Sequence, residues 1–162
     1  MKRSPVLHPF LFAVFPILFL FTNNIDKMPV SVIYFPILSS LCFASIFFLV
    51  LGLLLKDVKK AAMLLTIFLM IFFSYGHFYN LIKDDQVAGF VYGRHRYFLP
   101  VITILFSLST YHLVKTEKEL SSVTSFLNAV GAILITISLV NIGVFEYQSR
   151  DIMKRPGYNG GS

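Results

Sequence analysis

Two short polar stretches carry most of the residue types in this chain that could do chemistry. The first is Ser74-Tyr75-Gly76-His77-Phe78-Tyr79-Asn80 and the second is Arg94-His95-Arg96. His77, Asn80 and Asp84 are spaced i, i+3 and i+7, so they share one face if a helix continues through them. Arg94 and Arg96 bring guanidinium groups, whose planar fork suits a phosphate. The combined expectation is a pocket for an anionic headgroup, with Arg94 and Arg96 on the phosphate and His77, Asn80 and His95 in support. Asn23, Asn24, Asp26, Tyr79, Asp85 and Tyr97 fall on the same side of the chain's layout. A plainer account covers the same residues. Arginines beside a membrane span touch bulk lipid phosphates, Tyr97 belongs to an aromatic belt, and His77 and Asn80 bond a neighbouring helix.

Other chemistries find less support. His77, His95, Asp84 and Asp85 are metal ligands by type, but no HxxxH or HxH spacing joins them, and no metal is expected. Haem would need histidines at matched depth. His8 and His112 fall near one membrane surface on different spans, which interfacial anchoring explains equally well, so no cofactor is expected. The single cysteine, Cys42, reads as a small core residue and allows no disulfide within the chain. No nucleophile elbow, P-loop, dinucleotide fingerprint or HExxH occurs, and the chain alone does not read as an enzyme.

The medium follows from where the charges are not. All Asp, Glu, Lys and Arg fall in six clusters, at 2–3, 26–27, 56–60, 83–96, 115–119 and 146–155. Between them lie five uncharged stretches. Each is about the length a helix needs to cross a hydrocarbon core of roughly 30 Å. A soluble helix would carry charge on its outer face every turn or two. With 56% hydrophobic and 14% charged residues, the composition agrees. The runs lack the alternation of barrel strands, so the fold class is all-α: an integral membrane bundle of five transmembrane helices. The spans are expected at about 6–22, 30–55, 61–82, 97–114 and 121–145, with 1–145 as one domain and 146–162 as a flexible tail. The apolar N-terminal run lacks a small-x-small cleavage site and reads as a retained first span.

The net charge of +6 does not imply a nucleic-acid partner, because the basic residues form no stripe. Lys and Arg divide equally between the two sides, so the basic flank of the first span decides the orientation: N-terminus inside, C-terminus outside. The first two-thirds of span three read as apolar filler. Span five carries Asn128, Gly131 and Asn141 among its small and polar residues. These serve helix packing, within the chain or in a homo-oligomer, rather than a substrate path.

Three segments together carry a resemblance. They are His8-Pro9-Phe10-Leu11-Phe12 with Phe15-Pro16-Ile17-Leu18-Phe19-Leu20, then Ser74 to Asn80, then Gly93-Arg94-His95-Arg96-Tyr97-Phe98-Leu99-Pro100. They resemble the N-terminal membrane module of sulfatase-like (alkaline phosphatase superfamily) bacterial membrane proteins, with the architecture of lipoteichoic acid synthases, over roughly residues 5–145. In that family five spans precede an extracellular catalytic domain that transfers a phosphate-containing group from lipid. Here the metal ligands and the threonine or serine nucleophile of such a domain are missing. The resemblance therefore implies the membrane half alone, truncated or working with a partner, whose polar segments dock a lipid substrate. The function expected is a multi-pass module of the cell (plasma or inner) membrane that binds an anionic lipid headgroup or docks an extracytoplasmic catalytic partner. Two alternatives stay open: a non-catalytic accessory subunit of a larger membrane complex, and an oligomeric channel-like effector. Membrane lipids and a protein in the membrane or on its outer face are the partners expected.

Overall fold

The computed structural model describes residues 5–82, 86–87, 90–91 and 95–154. Five α-helices dominate: α1 (His8–Thr22), α2 (Tyr34–Leu55), α3 (Val58–Ile82), α4 (His95–Lys115) and α5 (Ser121–Lys154). A 3-10 turn at Val30–Ile33 leads into α2. Between α3 and α4, β1 (Gln86–Val87) and β2 (Phe90–Val91) pair antiparallel, Gln86 opposite Val91 and Val87 opposite Phe90. Three helical stretches, Val30–Leu55, Val58–Gly76 and Ser121–Ser149, are long and apolar enough to cross a membrane; His8–Thr22 and Leu99–Lys115 are shorter apolar helices. Phe35, Leu53 and Leu54 on α2 are each more than 70% exposed. In water such a surface would be an aggregation site; against hydrocarbon it costs nothing. The molecule is a membrane-associated helical bundle.

Contacts fix the directions of the helices. His8 at the start of α1 meets Thr66 in the first half of α3, and Gly131 of α5 lies against Leu11 of α1. Lys60, in the first turn of α3, reaches the Val114 carbonyl in the last turn of α4. Hence α1, α3 and α5 run parallel, and α2 and α4 return between them. The end holding the start of α1 is called the near end below, and the opposite one the far end.

α1 occupies the centre, packed on α5, α2 and α3, whereas α4 packs chiefly on α3. Ala13, Ala44, Leu65 and Leu69 are buried together among Phe10, Phe47, Phe48, Leu51, Phe68 and Phe73. The small Ala13 lets α2 approach, so that Ser40 Oγ donates to the Ala13 carbonyl at 2.8 Å. Nearer the far end, Leu18, Phe21 and Ile33 join Ile135 and Ile142 of α5. Phe68 links three helices, stacked on Phe47 at 5.3 Å and edge-on to Phe106 at 6.0 Å. Ser45, Thr103, Ser107, Ser109, Thr110, Thr136 and Ser138 each donate a hydroxyl to the carbonyl four residues earlier. Such back-bonding hides polar groups from lipid without help from a neighbouring helix.

Two boundaries differ from the sequence-based expectation. Span three was placed from 61, with 56–60 as loop, but α3 starts at Val58. The cause is Asp57, whose Oδ1 accepts the N–H groups of Lys59 at 2.9 Å and Lys60 at 3.1 Å. Lys56 makes the turn possible by taking the left-handed conformation at φ 52° and donating its N–H to the Gly52 carbonyl. Asp57→Ala should lower stability by about 1 kcal/mol, read by thermal unfolding of the detergent-solubilised protein; no change would show that the cap does not hold α3. The second difference lies at the other terminus. Residues 146–154 were assigned to a flexible tail, yet α5 is helical to Lys154. Glu146, Gln148, Arg150, Met153 and Lys154 are residue types that favour helix, and no glycine or proline interrupts the stretch. At 1.5 Å per residue α5 is about 51 Å long, well beyond a hydrocarbon core of about 30 Å.

Candidate functional site

The far end gathers the end of α3 and the start of α4. His77 and Asn80 lie in the last turns of α3, and His95 and Arg96 open α4. The structure thus carries these four to one end on two packed helices. For all four the description stops at the backbone, and Arg94, with Asp84 and Asp85, lies outside the described residues. The helical register places them further. Phe73 stands one turn before His77 along α3, and Leu99 one turn after His95 along α4.

Phe73 and Leu99 line two clefts. One, of ≈ 470 Å³, lies between α3 and α4 and is lined by Phe68, Ile71, Phe72, Tyr75, Leu99 and Ile102. Its wall is apolar, and Tyr75 stands on its far-end side, one turn before Tyr79, with the two rings stacked at 6.2 Å. The other, of ≈ 530 Å³, lies between α1 and α3; Phe15, Pro16, Phe19 and Leu20 face Phe73 and Ser74 across it, with Asn23 at its rim. Pro16 belongs to this wall because α1 continues through it. A proline has no N–H for the carbonyl one turn back. Sequence reasoning had no means to find either cleft, since both arise from how far α3 stands from its neighbours.

The near end is organised differently, and Lys59, Lys60 and Lys115 are held there by the chain itself. Lys59 Nζ donates to Ser121 Oγ and lies 3.7 Å from Glu119 Oε1; Ser121 Oγ in turn donates to Glu119 at 2.8 Å. Lys60 Nζ donates to the Val114 carbonyl at 2.8 Å, where the α4 dipole favours a positive charge. Lys115 donates to Tyr111 Oη at 2.6 Å. Two helix hairpins, α2–α3 and α4–α5, are thereby clasped together.

Deeper at that end, Asn128 caps α1 from another helix. Its Oδ1 accepts the N–H of His8 at 2.7 Å and of Leu7 at 3.1 Å, and its Nδ2 donates to the Pro5 carbonyl at 2.6 Å. His8 is fully buried, and its Nδ1 shares a 2.7 Å hydrogen bond with Thr66 Oγ1. Thr66 lies in the part of span three read as apolar filler, where a threonine among Leu and Phe gives no signal of its partner. His112 is exposed on α4, edge-on to Tyr111, while His8 is enclosed by α1, α3 and α5. Cys42, read as a core residue, is exposed on α2.

The residues assigned to span five have different surroundings. Asn128 bonds α1; Gly131 is buried against Leu11, and Asn141 is exposed on the outer surface of α5. Among the described residues, no three His, Cys, Asp or Glu side chains come together as metal ligands would. Comparison of the chain with protein-family models, curated proteins and solved structures returns no match.

Proposed function

We propose that the chain is a five-span module of the cell (plasma or inner) membrane, N-terminus inside, whose far end faces outward and binds the phosphate of an anionic lipid. The observation that carries this reading is the apolar α3–α4 cleft ending one turn from His95 and Arg96. A lipid tail fits the cleft, and its phosphate then meets the start of α4. Helix N-termini present N–H groups without intrahelical partners, and cationic side chains add to that field. The alternating helix directions support five crossings. α4, at 21 residues, reaches about 31 Å. α1 is shorter, but its central position removes the need to match the lipid on every side.

Lipid choice tests the site. Native mass spectrometry of the detergent-purified chain should show phosphatidylglycerol retained over phosphatidylcholine. Arg94→Ala with Arg96→Ala should weaken that retention about tenfold, or ~1.4 kcal/mol. Equal retention of the two lipids by the unchanged chain would end the proposal. The orientation has its own check: cysteines placed at Lys59 and Arg94 should react with impermeant reagents from opposite faces, and labelling from one face would refute five crossings.

A second reading rests on α5. The helix continues past the apolar 121–145 stretch to Lys154 with Tyr147 75% exposed, a surface suited to a protein neighbour. In that reading the module is an accessory subunit, or docks the extracytoplasmic catalytic partner that the sulfatase-like resemblance implies. The arginine substitutions would then weaken subunit association and leave lipid retention alone. A channel reading has less to use, because Asn128 and Gly131 are turned to α1.

A further inference from the structure

We infer that a water molecule is bound inside the bundle at the junction of α1, α3 and α5, bridging His8 Nε2 and Thr124 Oγ1. Both residues are fully buried, and neither of these atoms has a hydrogen-bonding partner among the described residues. Thr124 is unusual here, because the back-bonded hydroxyls described above all turn to their own helix. A buried polar atom left unmatched costs about 1–3 kcal/mol, so two at one junction call for a shared partner.

The two atoms belong to one place in the fold. Asn128, which holds the His8 N–H, lies one turn after Thr124 on the same face of α5. Helical side chains lean toward the helix N-terminus, which carries the His8 ring toward the level of Thr124 on the parallel α5. Nδ1 of that ring is already engaged by Thr66, so Nε2 is the atom left for α5. Water can donate and accept, so it serves the hydroxyl and the ring nitrogen whichever tautomer the ring takes. Buried waters in proteins serve groups of this kind. The bridge makes the imidazole a joint between α3 and α5, with Thr66 on one nitrogen and hydrated Thr124 on the other.

Solid-state NMR of the full chain in bilayers, with ¹⁵N-labelled histidine, tests this directly. His8 is assigned by the resonance lost in His8→Gln. In the unchanged chain, magnetisation should pass from water to His8 Nε2. Thr124→Val, which keeps the side chain's shape, should abolish the transfer, and Thr66→Val should leave it while shifting Nδ1. No transfer in the unchanged chain overturns the proposal, whatever the variants do; so does transfer that survives Thr124→Val. Thermal unfolding gives a second reading. Thr124→Val and His8→Phe together should lower Tm by no more than the larger single loss, because either one empties the bridge. Fully additive losses would refute it.

Discussion

Gly131→Leu should drive α1 and α5 apart and destabilise the bundle by about 3 kcal/mol, the upper end for overpacking a core. Even a single added carbon has no room: a Cβ on Gly131 would sit 2.8 Å from Leu11 Cβ and 3.1 Å from its Cδ1. Leu11 Cβ is attached directly to the α1 backbone, so a rotamer change cannot relieve the clash and the helix itself must move. Gly131→Ala should therefore cost roughly 1–3 kcal/mol, against the usual gain of alanine over glycine in a helix. Gly52, Gly76 and Gly143 serve as controls, since a Cβ at each meets nothing within 4 Å. Alanine at those positions should leave Tm unchanged or raise it. Leu11→Ala should rescue Gly131→Ala only in part, because it clears Cδ1 and leaves Cβ. Thermal unfolding in detergent reads all of these, and equal Tm values for alanine at Gly131 and Gly143 would show that the α1–α5 contact is not the tight one.

The long apolar helices could be read from the sequence because uncharged length is a local property. The places where helices begin and end are less legible, because a charge cluster reads as a loop whether or not it starts a helix. Lys59 and Lys60 look like loop residues in a sequence; Asp57 makes them the first turn of α3 by taking their N–H groups. At 146–154 polarity suggested a tail, yet polarity does not break a helix, and no glycine or proline lies in that stretch.

For the proposed site, the sequence offers residue type and spacing. Residue type alone marks Arg94, His95 and Arg96 as groups suited to a phosphate, and helix spacing relates His77 to Asn80. The apolar walls could not be seen, because Leu, Ile and Phe fill every span and only the packing of α4 on α3 selects Leu99 and Ile102 for a cleft. His8 shows the same limit. In sequence it is one histidine near a span end, and the threonine that meets it lies 58 residues away.

Asn128 is the case where type suggested packing and the structure supplies a sharper role, and its removal should be the other large loss. Asn128→Leu leaves the N–H groups of Leu7 and His8 and the carbonyl of Pro5 without their partner. Each such group costs about 1–3 kcal/mol when water cannot reach it. Leu7 and Pro5 lie toward the surface, where water can partly substitute, and the His8 N–H does not; a total of about 2–4 kcal/mol follows. Asn128→Asp separates the cap from the packing. Aspartate keeps the acceptor, ranks with asparagine as a cap, and places a negative charge where the α1 dipole favours one; the bond to Pro5 is lost, and the exposed Pro5 carbonyl must turn away from the second carboxylate oxygen. It should retain most of the stability that leucine forfeits. Hydrogen exchange locates the damage: in Asn128→Leu the first-turn amides of α1 should exchange faster, while those of α3 facing α4 keep their protection. If leucine and aspartate unfold at the same temperature, capping is not what Asn128 contributes, and the start of α1 is held by the burial of His8 instead.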